Sequence, residues 1–372
     1  MLKPMHRVPC SSALVACQHL MQRFALWLCA PGTTAVNLTF AGLQPPVMPT
    51  AIEAGWLWGF LQSKKDKRLL LERAQFVVAM PAAQKVALTA WVQAISALGT
   101  QFQAAPLPWP VKGPQSDPAN WAAFRTLMEA FYDKGLHAGL PYAEDGTPVA
   151  AGGVTYASFV DAFRVAHRLN PAPYARQVCV LCGGPLGDTP HVDHWIIKSA
   201  FPLLSMCADN LTLICSTCNE APNKGDKPVH SAGSFADWFH PYLRPGNGVL
   251  QLGYDLHAAA VHCSAVTPAD QPKASNLDGL LNLASRWTRE FKAEYAKHQD
   301  VLRRSEGQRV RAGKARHTLQ ELGTYVQQWA GGLSPSEPHH EVHTTLGQAM
   351  IEPARMQAWL AELATVQWPK SE

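Results

Sequence analysis

Four cysteines in this sequence have the spacing of a metal site. Cys179 and Cys182 form one C-x2-C pair, Cys215 and Cys218 form a second, and residues 183–214 separate them. Each short spacing lets two sulfurs reach one ion, and four thiolates match a closed tetrahedral zinc site. Such a site has no open coordination position, so any catalysis falls to other residues. The alternative is a redox pair or unlinked core thiols, although no βαβ pattern surrounds either pair.

Two adjacent residues between the cysteine pairs could carry out hydrolysis. His194 is suited to activate a water molecule, because the unperturbed pKa of histidine lies near about 6.5. Asp193 supplies a hard carboxylate oxygen of the kind that Mg²⁺ and Mn²⁺ prefer. Hydrolysis of a phosphodiester needs an activated water and a cation that neutralises charge on the phosphate. The pair therefore predicts a centre at which base and metal address one phosphate.

Two short strands and a helical turn are expected to position these groups. Residues 190–198, "PHVDHWIIK", are rich in β-branched and aromatic side chains and predict a strand. Residues 210–215, "NLTLIC", predict a second strand. Residues 219–227, "NEAPNKGDK", are expected to begin as a helical turn and to end with Gly225. The expected arrangement is strand, strand and short helix, pinned at its base by zinc.

These residues, in this order, resemble the HNH endonucleases, whose core is a ββα-metal fold. The resemblance rests on the first cysteine pair, on Asp193 and His194, on the "DNL" of residues 209–211, and on "CSTCN" followed by "KGD". It covers only a small part of the chain. It implies that His194 is the general base and that Asn210 ties the loop between the strands and helps to orient that base. The alternative for Asn210 is an ordinary turn asparagine.

The resemblance also implies where a catalytic cation would bind. Asn219 falls where HNH proteins place their last motif residue, which is commonly histidine, so the asparagine departs from the family pattern. Asp193 and Asn219 would form a sparse set of oxygen ligands that leaves room for waters and phosphate oxygens. Oxygen ligands favour Mg²⁺ or Mn²⁺ over catalytic zinc. Asn223, expected one helical turn after Asn219 on the same face, is a further candidate ligand.

Several neighbouring groups have both a functional and an ordinary explanation. His191 lies on the same expected strand face as the aspartate and could assist the metal or bind phosphate, but such a histidine is more often a satisfied surface group. Lys198, Lys224 and Lys227 could contact substrate phosphates, but lysines beside turns are usually just solvated. Cys207 pairs with neither C-x2-C motif and is most simply a buried thiol.

The composition is that of a folded chain in a reducing compartment. Of 372 residues, 47% are hydrophobic and 16% charged, which is far from the signature of disorder. The nine cysteines are an odd number in a long chain, which favours reduced thiols in the cytoplasm over a secreted disulfide framework. Gln18, His19, Gln22 and Arg23 interrupt the apolar N-terminal segment, so neither export nor a membrane anchor is expected.

The remainder of the chain is expected to be helical, which makes the fold class mainly α with a small α+β module. Apolar residues recur at three- and four-residue intervals in "KKDKRLLLERAQFVVAM" and "AAQKVALTAWVQAISALGTQF". Asp117 and Pro118 predict the start of a helix and Gly135 its end. The predicted regions are a helical N-terminal region at 1–105, a Pro-rich connector and helical platform at 106–172, the cysteine module at 173–245, and a helical C-terminal region at 246–372.

Two further segments bear on partners. Residues 286–316 hold ten Lys or Arg and four Asp or Glu, which predicts either a phosphate-tracking surface or a solvated helix face with opposite-charge neighbours. Residues 235–243, "FADWFHPYL", resemble a segment that often follows the module in HNH proteins of bacterial anti-phage systems, where the nuclease can act beside an ATPase partner. An ordinary helix end capped by Pro241 explains this segment equally well.

Together these features predict a metal-dependent endonuclease that hydrolyses phosphodiester bonds of DNA, with RNA less favoured. Its expected cofactors are a structural Zn²⁺ and a catalytic Mg²⁺ or Mn²⁺. The expected partners are nucleic acid and a protein such as a defence-system ATPase, without a membrane. The principal alternative is a non-catalytic, zinc-stabilised module that binds nucleic acid or protein.

Overall fold

The structure is a computed structural model that describes residues 2–103, 106, 109–110, 113–114, 117–255 and 258–367. Much of the predicted Pro-rich connector lies outside these residues. Helices account for 53% of the described residues and the sheets are small and antiparallel, which confirms the predicted mainly α class.

The helices and strands follow one another in a simple order. The helices are α1 (Ser11–Cys29), α2 (Ala51–Leu61), α3 (Leu70–Val78), α4 (Ala82–Ser96), α5 (Pro118–Ala130), α6 (Tyr156–Ala166), α7 (Ser216–Asn219), α8 (Gln271–Leu281), α9 (Leu283–Arg311), α10 (Leu319–Gly331), α11 (His340–Met350) and α12 (Pro353–Ala364). The strands are β1 (Lys64–Lys65), β2 (Arg68–Leu69), β3 (His191–His194), β4 (Leu211–Ile214), β5 (Leu250–Asp255) and β6 (Ala260–Ala265). They pair as three two-stranded sheets, β1 with β2, β3 with β4 and β5 with β6.

The chain divides into two compact units. The first contains residues 3–168 and 190–245, and the second contains residue 2, residues 169–189 and the chain from 246 onward. The first unit therefore holds α1 to α7, strand β3, which carries the predicted dyad, and its partner β4. The second holds the β5–β6 hairpin and α8 to α12.

In the first unit, α1 is a core helix. Its buried side chains recur every three or four residues, as expected for a helix with one apolar face; they are Ala13, Leu14, Cys17, Leu20, Met21, Phe24, Ala25, Leu28 and Cys29. None of the described helices has both the length and the apolar character required to cross a membrane.

The predicted helix at residues 64–80 begins later than its apolar pattern indicates. Strands β1 and β2 form a tight hairpin in which Lys65 pairs with Arg68. The two residues between them, Asp66 and Lys67, have φ angles of 53° and 66°. Two consecutive positive φ values are typical of the hairpin turn whose twist matches that of the strands. Helix α3 therefore starts only at Leu70.

Helix α5 starts as predicted but does not end at Gly135. The Asp117 side chain accepts hydrogen bonds from the amides of Ala119 and Asn120, at 2.9 and 3.2 Å, and so caps the helix. Beyond α5 the backbone continues as a π-helical segment, Phe131–Leu136. A Cβ at position 135 would lie 3.1 Å from the Trp56 ring, which is closer than most such contacts. The glycine permits close packing, which is a different role from ending a helix.

The two predicted strands are present in the first unit but are shorter than predicted. Strands β3 and β4 pair antiparallel, with His191 opposite Ile214 and His194 opposite Leu211. Helix α7 ends at Asn219, so the helical turn expected to begin there is wrong. Glu220 is already extended, and Pro222 cannot continue a helix because it lacks an amide donor.

The second unit is built on the long helix α9. A hairpin of β5 and β6 packs against it, and the Val261 amide donates to the Thr288 hydroxyl at 2.8 Å. The helical C-terminal region predicted at 246–372 therefore begins with a β-hairpin that the prediction did not include. Its strands "LQLGYD" and "AVHCSA" are only six residues each, and their alternation is weaker than the helical pattern of the following residues. Helix α12 packs on α9, where the Trp359 ring stacks on Tyr295 with centroids 5.3 Å apart.

Candidate functional site

The four predicted zinc ligands lie together. Cys179, Cys182, Cys215 and Cys218 are all buried, and their sulfur atoms lie within 4.8 Å of one another. Four thiols at this separation could hold a metal such as zinc. No disulfide joins the cysteines of the described chain.

The first cysteine pair sits in a tight turn that depends on glycine. The Cys179 amide donates to the Gly184 carbonyl at 2.8 Å, and the Gly183 amide donates to the Cys179 carbonyl at 2.9 Å. Gly183 has a φ of 74°, which L side chains rarely adopt. The Trp287 indole donates to the Cys182 carbonyl at 3.0 Å and so holds the end of the turn. These contacts hold the two cysteines in one tight turn.

The second cysteine pair flanks the start of α7. Cys215 follows β4 directly and precedes the first residue of the helix, and Cys218 lies within it. The Cys218 amide donates to the Cys215 carbonyl at 3.0 Å, which closes the turn that brings both thiols to the same side. This pair is attached directly to the strand that pairs with the dyad strand.

Asp193 is buried, and its carboxylate forms an ion pair with a buried lysine. It is 5% exposed, and the Lys224 ammonium, which is 1% exposed, donates to Oδ1 at 2.8 Å. The same ammonium donates to the His194 carbonyl at 2.8 Å. The other carboxylate oxygen, Oδ2, is buried and has no hydrogen-bond partner in the part of the chain that the structure describes. Burial raises the pKa of Asp193, and the neighbouring ammonium opposes that rise.

His194 is held in one orientation and one tautomer. Its Nε2 lies 3.0 Å from the Ser205 carbonyl, which can only accept, so Nε2 carries the proton and Nδ1 carries the lone pair. The Tyr132 ring packs edge-on against the imidazole, with centroids 4.5 Å apart. Burial lowers the pKa of His194 to about 3, so the ring is neutral at neutral pH. The Ser205 hydroxyl donates to the Met128 carbonyl at 3.0 Å, which connects the imidazole to α5.

Asn210 fixes the chain immediately after the dyad. It is fully buried, and its Oδ1 accepts from the Ile196 amide at 2.6 Å. Its Nδ2 donates to the carbonyls of Ile196 and Leu204, at 2.9 and 3.2 Å. The Asn210 carbonyl also accepts from the Trp195 amide at 2.8 Å. These bonds join both ends of the loop between the strands, in the manner that the resemblance implies for this position.

We expect Asn210→Ala to destabilise the first unit by about 2 to 4 kcal/mol, because it leaves a buried amide and two buried carbonyls without their partners. Urea unfolding compared with wild type measures the loss. The exposed Asn37, which accepts a bond from the Thr34 amide at 2.8 Å, provides a matched control: Asn37→Ala should cost clearly less. Equal losses in the two variants would show that Asn210 does not have the anchoring role that its contacts indicate.

The other predicted metal ligands have different partners. The Asn219 amide nitrogen lies 3.1 Å from His191 Nδ1, so these two predicted site residues lie together. Asn223 is buried and donates to the Thr217 carbonyl at 2.6 Å. Because α7 ends at Asn219, Asn223 does not lie one helical turn further on the same face. That part of the prediction is wrong, since its side chain instead closes the loop after the helix.

The three predicted phosphate-binding lysines differ in their surroundings. Lys224 is buried and its ammonium donates to Asp193, so the prediction that it contacts substrate phosphates at the surface is wrong. Lys198 donates to Asp133 at 2.6 Å and lies over the Tyr132 ring, 4.6 Å from its centroid. Lys227 is exposed and donates to the Pro222 carbonyl at 2.5 Å.

Three residues of this site carry no local signal in the sequence. Tyr132 and Asp133 come from the π-helical segment Phe131–Leu136, a conformation that occurs frequently at functional sites. Burial opposes ionisation of Asp133, but bonds from Lys198 and Lys65 outweigh it and lower the pKa of the carboxyl. Ser205 contributes only backbone to His194. These contacts depend on how α5 packs against the loop after β3.

Two predictions about flanking segments can be compared with the structure. In 286–316, several basic side chains pair with acids, among them Arg309 with Glu321 at 2.9 Å and Arg316 with Glu306 at 3.2 Å. Both pairs join α9 to residues outside it, and Glu306 is fully buried, so they do not decide between a phosphate-binding surface and a solvated helix face. The suggested helix end at 235–243 is wrong, because this segment consists of turns and of the isolated bridge between His240 and Arg244.

The arrangement offers a neutral imidazole with a fixed lone pair beside a buried carboxylate oxygen that has no partner. An orphaned anionic oxygen of this kind fits a cation, so the donor chemistry at Asp193 fits the predicted divalent ion. Cys207 contributes nothing to this chemistry, since burial raises the pKa of its thiol to about 12. No protein family, curated protein or solved structure matches this chain.

Proposed function

We propose that this protein is a metal-dependent endonuclease that hydrolyses phosphodiester bonds of nucleic acid, with DNA as the preferred substrate. The observation that carries the proposal is the geometry of the dyad: His194 is buried, neutral and fixed in one tautomer, and the adjacent Asp193 has an unpartnered oxygen. The resemblance to HNH endonucleases supports the same assignment. The reduced state of the cysteines is compatible with action in the cytoplasm.

In this proposal His194 accepts a proton from the attacking water at Nδ1. The bond from Nε2 to the Ser205 carbonyl keeps that lone pair available and stabilises the imidazolium as it forms. Asn210 holds the chain just after the base, and Tyr132 limits rotation of the ring. A ring with so low a pKa is a weak base, so its action requires a water that is itself acidified.

A divalent ion bound by Asp193 and Asn219 would lower the pKa of that water and neutralise charge on the phosphate. The donors are a carboxylate and an amide, which suit Mg²⁺ or Mn²⁺. Lys224 neutralises the same carboxylate through Oδ1, whereas Oδ2 remains for the cation. The contact with His191 would orient Asn219, which is the second ligand.

The buried ion pair between Lys224 and Asp193 favours a second candidate function. If the ammonium permanently takes the place of a cation, the fold is a zinc-stabilised module that binds nucleic acid or protein without cleaving it. The two candidates make opposite predictions about divalent ions, so metal-dependent stability separates them.

We expect Lys224→Met to destabilise the metal-free protein by about 3 to 5 kcal/mol, because it leaves a buried carboxylate without its counter-charge. Adding Mg²⁺ or Mn²⁺ should restore more stability to this variant than to wild type, since both carboxylate oxygens become available. Urea unfolding with and without the ion measures the difference. Lys227→Met, which alters an exposed lysine three positions later, should show neither effect. A variant that no divalent ion stabilises would favour the non-catalytic module.

The proposed function is tested by a cleavage panel. Purified protein is incubated with plasmid DNA, single-stranded DNA and RNA, each with Mg²⁺, with Mn²⁺ and with a chelator. The proposal predicts that at least one substrate is cleaved and that the chelator abolishes this cleavage. DNA should be cut faster than RNA. Binding without cleavage under every metal condition would support the non-catalytic alternative.

A further inference from the structure

A second group of metal-ligating side chains lies in the second unit. Glu290, Glu294 and His298 are spaced four residues apart on α9, so they form one stripe along a single face of that helix. His343 of α11 faces this stripe, and its Nε2 lies 3.0 Å from Glu290 Oε1. One oxygen from each of the two carboxylates and one nitrogen of His343 lie within 4.8 Å of one another.

His298 gives an independent indication of a missing ligand. Its ring is 4% exposed, and Nδ1 lies 2.6 Å from the Tyr325 hydroxyl. Its Nε2 lies 3.3 Å from Glu294 Oε1 but forms no hydrogen bond within the described residues. A buried imidazole that uses one nitrogen on a hydroxyl and presents the other toward a carboxylate has the arrangement of a metal ligand with its outer partner. Without a ligand, a buried ring nitrogen that forms no hydrogen bond lowers the stability of the fold.

Ordinary ion pairs account for only part of this cluster. Lys297 reaches Glu294 at 2.8 Å, but its side chain is 65% exposed, so the pair is weak. His343 bonds to Glu290, and the buried His298 ring lies 3.3 Å from Glu294. Two carboxylates brought this close repel each other unless positive charge lies between them. A divalent ion supplies that charge and uses both oxygens and the imidazole.

We propose that Glu290, Glu294 and His343 bind a divalent transition-metal ion, with His298 as the fourth donor. Mixed imidazole and carboxylate ligands suit ions of the zinc type better than Mg²⁺ or Ca²⁺, which prefer oxygen alone. Three ligands from α9 and one from α11 would tie these helices together. The site is separate from the four cysteines and from the dyad, and it does not depend on nuclease activity.

Cobalt titration of the full-length protein tests this site directly. The starting sample is zinc-loaded protein in which the four thiols are occupied, and Co²⁺ is then added. We expect one further equivalent to bind, with weak ligand-field bands and no thiolate-to-cobalt charge transfer, and we expect the thermal midpoint to rise with Co²⁺ concentration. Charge-transfer bands alone, or no further equivalent, would overturn the proposal.

Three variants and one control make the assignment specific. His343→Ala and the nearly isosteric Glu294→Gln should lose the additional equivalent, and His298→Ala should lower its affinity at least about 10-fold. His262→Ala, which removes an exposed histidine of β6, should bind Co²⁺ like wild type. Circular dichroism checks that each variant is folded. Retention of the ligand-field bands in folded Glu294→Gln and His343→Ala would refute the site.

Discussion

His194→Ala is expected to reduce metal-dependent cleavage by at least about 100-fold, within the range that general bases contribute. The variant loses the Nδ1 lone pair, and no other described group at the dyad offers a neutral base with a fixed orientation. The measurement is the initial rate of cleavage of the best substrate of the panel, at saturating Mg²⁺ or Mn²⁺. Rates are expressed per folded molecule, because the substitution also removes a buried ring.

His240 provides the matched control for this effect. It is a fully buried histidine of the same unit, and burial also lowers its pKa to about 3. Its Nδ1 accepts hydrogen bonds from the amides of Tyr242 and Leu243. His240→Ala should therefore destabilise the protein but preserve the cleavage rate of the folded fraction. Loss of cleavage in both variants to the same degree would assign the effect to stability and remove His194 from the chemistry.

Cys215→Ser is expected to have the largest effect on stability. The four thiolates form a closed set, and structural zinc contributes about 10 to 16 kcal/mol to folding in small zinc-finger peptides. Loss of one ligand should release the ion and unfold the β3–β4 sheet, because Cys215 directly follows β4 and helps to form the turn into α7. Zinc content of the freshly purified protein and its thermal midpoint should fall together.

Cys207→Ser separates this effect from a general sensitivity to cysteine loss. Cys207 lies in the loop between β3 and β4, eight positions before Cys215, but outside the four-thiol cluster. Its variant should retain a full equivalent of zinc. Wild-type protein that contains no zinc, or Cys215→Ser protein that retains it, would contradict the assignment of the four cysteines.

Local patterns were sufficient to predict the elements whose causes are local. Asp117 followed by Pro118 predicts the start of α5, and the apolar periodicity of "AAQKVALTAWVQAISALGTQF" predicts α4. The two C-x2-C pairs predict the cysteine cluster, because the short spacing within each pair lets two thiols reach one ion. The β-branched and aromatic residues around His194 predict the first strand, and "NLTLIC" predicts the second.

Features that depend on distant packing could not be predicted in the same way. The lysine that lies on Asp193 is 31 positions away, and nothing near Lys224 distinguishes it from a solvated lysine. The π-helical segment that places Tyr132 against His194 has an ordinary helical sequence. The metal-ligating side chains of the second unit come from α9 and α11, which lie more than forty positions apart in the sequence. The four-residue spacing of Glu290, Glu294 and His298 is visible in the sequence, but their proximity to His343 is not.

The central claim is that a water molecule activated at the dyad breaks a phosphodiester bond. Its most direct test is single-turnover cleavage by wild-type protein with Mg²⁺ in heavy-oxygen water, followed by mass spectrometry of the product ends. We predict that a solvent oxygen enters the new terminal phosphate and that the chelator prevents its incorporation. Cleavage without solvent oxygen in that phosphate, or intact substrate under every metal condition, would contradict the claim.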